Sequence, residues 1–312
     1  MLLAALAVVG MRTLSNRYER TVSREELLAP DARQPRTDLD EGLNYLLVGT
    51  DRRTDSSHPD QRSDTILIVH LPPGMRQAYL ISVPRDLLVT IPSGNGYPGG
   101  QDKINAAYEH GGGGRGGTRL LSTTLTRLTG IRFDGAALVD FTGFKQVIDL
   151  LGGIRMCVDT QVSSIHTGTV FQPGCQQMNG AQALDYVRQR YDLPGGDYDR
   201  QRHQQQLLRA LLDKAGQTDL RGDPVKLDRV LRAVGGSLTV DTNGVPLQEL
   251  VVALRSLPAD AMRGVQLPSH PQTIGAGSYV VLDDAGSGLF GAVRADRVPD
   301  WATAHPRWVT RL

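Results

Sequence analysis

The sequence predicts a single α/β domain with a central, mostly antiparallel or mixed β-sheet flanked by helices. Three features point there. Apolar runs of strand length alternate with stretches of helical periodicity. Three of the runs follow one another closely enough to pair as a meander. No internal repeat interrupts the order, and 312 residues with 40% hydrophobic content suffice for one sizeable core.

Composition narrows the function classes. The net charge is +1, so no overall field favours nucleic acid or an anionic surface. The 34 basic residues are nearly all arginine, the side chain suited to a forked grip on phosphate or carboxylate. Cys157 and Cys175 are the only cysteines, and no Cys-x-x-Cys or His/Cys cluster suggests structural zinc.

Residues 1–11 are almost wholly apolar and are followed by Arg12, Arg17 and Arg20. The run falls short of the about 20 residues a bilayer span needs. It is expected to be the outer half of a membrane anchor; a cleaved signal peptide is the alternative. Either places the rest outside the cytoplasm. Residues 12–40 carry Pro30, Pro35 and scattered charge without periodicity, as a juxtamembrane tether would. The folded domain is then expected over 41–285, with 286–312, including Trp301 and Trp308, as a tail.

Asn44 to Val48 forms a first strand, leading into Gly49-Thr50-Asp51. Arg62-Ser63-Asp64-Thr65 enters a second strand, Ile66 to Leu71, which the Pro72-Pro73-Gly74 turn ends. A third, Ala78 to Val83, leads into Pro84-Arg85-Asp86. In an up-down-up meander, Asp51, Asp64 and Arg85 meet at one sheet edge. Two carboxylates and an arginine there suit a divalent metal and a phosphate. Taken singly, each is more often a turn residue or a helix cap.

The glycine-rich stretch Gly111 to Gly117 is expected to be mobile or ligand-cradling, but it lacks the Gly-Lys-Ser/Thr of a P-loop. Thr118 to Thr129 is predicted helical, with Leu120, Leu121, Leu125 and Leu128 at core spacing. A strand over Ala136 to Phe141, a helix over Phe144 to Leu151 and a strand over Ile154 to Val158 follow. Cys157 and Cys175 bracket an irregular loop. In an exported protein they are expected to pair; two buried thiols are the alternative. Helices are predicted over Asp228 to Gly235 and Leu247 to Leu257, and strands over Gly264 to Pro268 and Ser278 to Leu282.

The centre of the chain is Arg188-Gln189-Arg190-Tyr191, then Gly195-Gly196 and a helix from about Asp197 to Lys214. On an extended strand the two arginines share a face. On the helix, Asp197, Arg200 and Gln204 lie on one stripe that Leu207, Leu208 and Leu211 continue. A stripe that is cationic at the positive helix end and apolar beyond it suits an anionic head with a greasy tail. An ordinary amphipathic core helix is the alternative.

Taken together, Leu47-Val48-Gly49-Thr50-Asp51, Arg62-Ser63-Asp64-Thr65, Ser82-Val83-Pro84-Arg85-Asp86, Lys103-Ile104-Asn105-Ala106, Asp140-Phe141 and Arg188-Gln189-Arg190-Tyr191, with Asp197, Arg200 and Gln204, resemble the LytR-CpsA-Psr family of bacterial cell-wall ligases. The resemblance implies a membrane-anchored, extracytoplasmic phosphotransferase with a long apolar lipid pocket. Its donor would be a glycopolymer on a polyprenyl (undecaprenyl) diphosphate and its acceptor peptidoglycan, with Mg²⁺, or Mn²⁺, assisting. By the same resemblance Asp51 and Asp64 hold the metal. Arg85, Lys103, Arg188, Arg190, Arg200 and Gln204 bind the pyrophosphate, with Asp64, Arg85, Arg188 and Arg190 closest to the chemistry. Leu121, Leu125, Phe141, Leu208 and Leu211 are the expected lipid-pocket residues. The chain departs at Arg202-His203-Gln204, where the family often has Arg-Gln-Gln, so the role of His203 is open. A polyprenyl-diphosphate pyrophosphatase and a lipid-diphosphate binding or regulatory protein without turnover are the alternatives. The regulatory form finds no helix-turn-helix and no basic stripe to support nucleic-acid binding.

Overall fold

The computed structural model describes residues 22–35, 40–50, 63–191, 193–218, 224–245 and 257–312. In chain order the strands are β1 Ser23–Arg24, β2 Leu43–Thr50, β3 Ser63–Leu71, β4 Ala78–Ser82, β5 Leu88–Ile91, β6 Gly100–Lys103, β7 Gly135–Asp140 and β8 Ile154–Val158. β9 Val162–Ser163, β10 Val170–Phe171, β11 Gly174–Met178, β12 Leu238–Asp241, β13 Met262–Gln266, β14 Ser269–Ile274, β15 Gly277–Leu282 and β16 Val309–Arg311 follow. The helices, numbered among the described residues, are α1 Ile104–His110, α2 Gly114–Thr129, α3 Phe141–Leu150, α4 Gly180–Arg188, α5 Asp197–Gln217, α6 Pro224–Ser237, α7 Asp284–Arg294 and α8 Val298–Ala304. The predicted helix at 247–257 falls almost entirely outside the described residues.

Eight strands form a mixed sheet in the order β1-β12-β7-β2-β3-β4-β13-β16. The meander is present: β2 pairs antiparallel with β3, and β3 with β4. The centre of this sheet is covered on both sides, so its strands are apolar nearly throughout instead of alternating with polar residues. Leu46, Ile66, Ile68, Tyr79 and Ile81 face a core built with α1, α2, α7 and α8. Their neighbours Leu43, Leu67, Leu71 and Leu80 face a smaller cluster on the other side, where Leu208 of α5 packs. A third cluster joins α3, α4, α5 and the β8–β11 region.

Helix α5 is fixed to the sheet by a buried glutamine. The Gln205 side-chain amide donates to the Leu80 carbonyl and the Ser82 hydroxyl at 2.8 Å, and to the Val265 carbonyl at 3.3 Å. Gly264 makes room for it, since a Cβ there would lie 2.1 Å from Gln205 Oε1.

Two expected boundaries change. Residues 22–35 are not a loose tether: β1 pairs with β12, Leu27, Leu28 and Ala32 are buried in the main core, and Arg33 forks onto Asp241 at 2.7 and 3.1 Å. The apolar Leu27-Leu28-Ala29 run is too short to show a period, yet it suffices to close one edge of the core. Residues 286–312 are likewise structural, since β16 adds the sheet's last strand and Leu289, Phe290, Val293, Val298 and Trp301 belong to the main core. The glycine-rich stretch has a packing role. Half of it is the first turn of α2, and a Cβ on Gly111 would meet Gly117 Cα at 2.6 Å. The glycines let α1 and α2 approach.

Cys157 and Cys175 form a disulfide across the antiparallel β8–β11 pair, where they stand directly opposite. The closed loop, with a sequence separation of 18, restricts the unfolded chain by about 3 kcal/mol on the chain-entropy model. Reduction should lower stability by that order in denaturant titrations; an unchanged midpoint would show that the bridge contributes nothing.

His203 is buried and its ring stacks on Tyr186 with centroids 4.4 Å apart. Burial, reinforced by the charge of Arg202, pushes its pKa down to about 4, against a weaker opposing effect of Asp199. Burial does the same for His70, also to about 4. Both are neutral when folded. Their contribution is complete above about pH 6.5, where unfolded histidine is also neutral, and is lost as pH falls towards about 4. Each contribution is on the order of 3 kcal/mol. His203→Phe keeps a ring on Tyr186 and should make the melting temperature fall less steeply between about pH 7 and 4.5; an unchanged slope would contradict this.

Candidate functional site

One edge of the sheet gathers the ends of several strands. Register places Thr50 beside Ser63 and beside Asp140, and Ser82 beside Gln266. The register shifts between Gly49, opposite Thr65, and Thr50, opposite Ser63, so Asp64 is the extra residue on β3, as in a bulge that re-aims a side chain. The chain leaves β4 through Pro84-Arg85-Asp86, which puts Arg85 over this edge, and the first turn of α5 arrives there from the other side.

The result is a network of cations and carboxylates. Arg85 donates to the Asp64 carboxylate, and its Nε lies 3.8 Å from Asp86 and 4.0 Å from Asp197. Lys103 Nζ is 2.9 Å from the other Asp86 oxygen. Arg200 Nη2 lies 2.7 Å from an Asp197 carboxylate oxygen as an ion pair and donates to the Asp64 main-chain carbonyl at 3.0 Å, with only 7% of its side chain exposed. Burial pulls the Arg85 pKa down, but Asp64, Asp86 and Asp197 outweigh it and the pKa is raised. For Arg200 burial dominates and lowers it, although Asp197 opposes. Both guanidinium groups stay charged, and the Nε of each is buried without a hydrogen-bond partner, so each fork has a donor to spare.

The expected pair on a strand is different in form. Arg188 is the last residue of α4, half-buried, and Arg190 follows it in a turn. Between them Gln189 is extended and buried, and its amide donates to Asp185 and Ser164. The inward Gln189 leaves its two neighbours less buried, so the alternation survives over three residues without a ladder. Arg190 reaches the site: its charge acts on Arg200, its Nη2 donates to the Tyr191 hydroxyl at 2.8 Å, and its guanidinium lies 4.7 Å from that ring. That hydrogen bond and charge lower the Tyr191 pKa. Gln204 is buried one turn beyond Arg200.

The structure thus brings together Asp64, Arg85, Lys103, Arg190 and Arg200. Asp86 and Asp197 join them; both stand in the motifs read from the sequence, Asp197 at the head of the helix stripe, but neither is assigned there to the metal or the pyrophosphate. Asp51 lies outside the described residues. Four of the expected lipid-pocket residues separate: Leu121 and Leu125 are fully buried in the main core, Leu211 is in the α3–α4–α5 cluster, and Leu208 packs at the opposite sheet face. Helical spacing shows which positions are apolar, not which neighbour covers them. The side chain of Phe141 lies outside the description. Beside the network opens a cleft of about 460 Å³, with Pro84, Asp86, Arg190, Tyr191 and Asp197 on its walls.

A family model described as the LytR_cpsA_psr family matches residues 11–287. The chain belongs to this family. Among LytR_cpsA_psr relatives, the probable cell wall biosynthesis protein LcpB of Corynebacterium glutamicum is 31% identical over 272 residues, covering 81% of this chain and 61% of that protein. The chain thus spans less than two thirds of that relative. The polyisoprenyl-teichoic acid–peptidoglycan teichoic acid transferase TagU of Enterococcus faecalis is 28% identical, covering 80% of this chain and 79% of TagU. The structure of TagT bound to LI-WTA superposes with a TM-score of 0.68 at 23% identity, over 88% of this chain and 98% of that one. That likeness is one of fold.

A lysine at position 85 keeps the charge but loses the fork. Arg85→Lys should therefore impair ligand binding almost as much as Arg85→Ala. Calorimetry with pyrophosphate checks this, and a lysine variant that binds as the parent does would show that bulk charge suffices.

Proposed function

We propose that the chain is a cell-wall glycopolymer transferase that moves a glycopolymer from a polyprenyl diphosphate to peptidoglycan. The observation that carries the reading is the network in which Asp64, Asp86 and Asp197 hold Arg85, Lys103 and Arg200 beside a cleft lined by Arg190, in a member of a family whose relatives include a teichoic acid transferase. Outside the cytoplasm, with residues 1–11 as a membrane anchor, such a site would meet both substrates. Among the described residues no helix is long and apolar enough to cross a membrane, and residues 1–11 are not among them.

In this reaction the acceptor hydroxyl oxygen forms a bond to the glycan-bearing phosphorus. The bond from that phosphorus to the polyprenyl phosphate breaks, and the hydroxyl proton passes to a base. Charge grows on the departing phosphate, so positioning and positive charge matter more than covalent help. Arg85 and Arg200 are already oriented by Asp64 and Asp197, so little reorganisation accompanies the step. Arg190 closes the group from the turn. Among the described residues no cluster of three or more His, Cys, Asp or Glu side chains could hold a metal. Asp64 is a hard oxygen donor at this edge, which fits an ion that binds through one or two carboxylates and takes its other ligands from phosphates and water. Asp64, with Asp51, would hold Mg²⁺ or Mn²⁺, whose chemistry is neutralisation of diphosphate charge. Leu208, half-buried one turn beyond Gln204, marks the proposed path of the lipid tail.

Arg190→Ala should lower kcat by roughly a hundredfold or more, the usual cost of one charge-stabilising donor, and change KM less. The decisive assay supplies a lipid-diphosphate glycan, Mg²⁺ and peptidoglycan. Sugar attached to peptidoglycan supports transfer. Lipid phosphate released only to water means a pyrophosphatase, and binding without release means a carrier or regulator.

A further inference from the structure

The hairpin of β14 and β15 takes no part in the diphosphate chemistry above, yet it forms one wall of the cleft through Pro271, Ser278 and Tyr279. It is held firmly. Val280 N–H donates to the Asp86 carbonyl at 2.9 Å, and Leu87 and Val280 form a bridge. From the other side, the Tyr198 hydroxyl in the first turn of α5 hydrogen-bonds the Ser269 carbonyl at 3.1 Å and its hydroxyl at 3.0 Å. The hairpin is therefore registered to both segments that carry the charge network, the one after β4 and the one that opens α5.

The lining of the cleft is specific in kind. Tyr279 stands beneath Lys103, whose Nζ is 5.7 Å from its ring centroid, and Tyr191 is 68% exposed beside Arg190. Pro84, Pro194 and Pro271 add rigid apolar surface, while Asp86 and Asp197 bring carboxylate oxygens. A further phosphate would meet those carboxylates unfavourably. A hydrocarbon tail would have to desolvate them. A sugar ring suits both: its C–H face packs on an aromatic ring or a proline, and its hydroxyls donate to carboxylates. The volume of about 460 Å³ lies in the range of small-ligand sites, roughly 300–1,000 Å³.

We propose that this cleft is a saccharide subsite in which Tyr279 and Tyr191 receive a pyranose ring adjoining the diphosphate. This rests on the transferase reading, and the ring belongs either to the donor glycan or to the peptidoglycan acceptor. Tyr279 is then a specificity residue, not a catalytic one.

The test compares the parent protein, Tyr279→Ala and Tyr279→Trp. Binding is measured to a short-chain polyprenyl diphosphate with and without an N-acetylhexosamine on the diphosphate, and KM is measured for soluble peptidoglycan glycan fragments. Tyr279→Ala should leave binding of the sugar-free diphosphate unchanged, which also shows that the fold is intact. A loss of about tenfold for the sugar-bearing diphosphate, restored by tryptophan, places the donor sugar here. Unchanged donor binding with a KM for glycan fragments raised by about the same factor, again restored by tryptophan, places the acceptor here. If sugar-bearing and sugar-free ligands lose affinity equally, or if neither affinity nor KM changes, the subsite is wrong while the diphosphate site stands. If the parent does not bind the sugar-free diphosphate, the transferase reading fails and the subsite with it.

Discussion

The arrangement depends on the buried guanidinium of Arg200. A charge with so little access to water is tolerated only when it is paired and hydrogen-bonded. Its partners come from two places, the Asp197 carboxylate on its own helix and the Asp64 carbonyl at the start of β3. Meeting both requires the first turn of α5 to sit on the sheet edge. Gln205, five residues on, repeats the device with a neutral group, placing its amide among carbonyls of β4 and β13. Two polar anchors about a turn and a half apart thus set the height and rotation of the helix.

That constraint explains why the network contains nearly as many carboxylates as cations. Arginines massed without partners would repel one another and move. Asp64, Asp86 and Asp197 hold Arg85, Lys103 and Arg200 at fixed distances instead, at the cost of some net positive charge. On the proposed reading, a dianionic or trianionic head group would bind to donors already oriented, and a divalent ion would offset the carboxylates. The same carboxylates set the chemistry of the neighbouring cleft, where hydroxyl groups are the better match.

Much of this was legible in the chain. The apolar runs of β2, β3 and β4, consecutive along the chain, indicate the meander, and the meander alone brings Asp64 and Arg85 to one edge. The stripe of Asp197, Arg200 and Gln204 follows from helical spacing. Other features depend on contacts that no local pattern encodes. Arg188 and Arg190 owe their placement to Gln189, whose inward hydrogen bonds to Asp185 and Ser164 break the helix without making a strand. Leu121 and Leu125 match an apolar helix face as well as Leu208 does, but α2 and α5 cover opposite faces of the sheet. Tyr279 carried no signal in the sequence, because its relevance comes from the bridge between Val280 and Leu87, some 190 residues earlier. His203 looked like a departure within a binding motif, yet its side chain faces Tyr186 and the core.

The central claim is that Arg85 and Arg200 act on a diphosphate as one unit through shared carboxylates. A double-mutant cycle of Arg85→Ala and Arg200→Ala, read by calorimetric affinity for a short-chain polyprenyl diphosphate with a melting curve for each variant, tests it most directly. The account predicts that each change weakens binding and that the double variant departs from the sum of the two by about 1 kcal/mol or more, as residues in one network do. Additivity within about 0.5 kcal/mol, or no loss from either change, would contradict it.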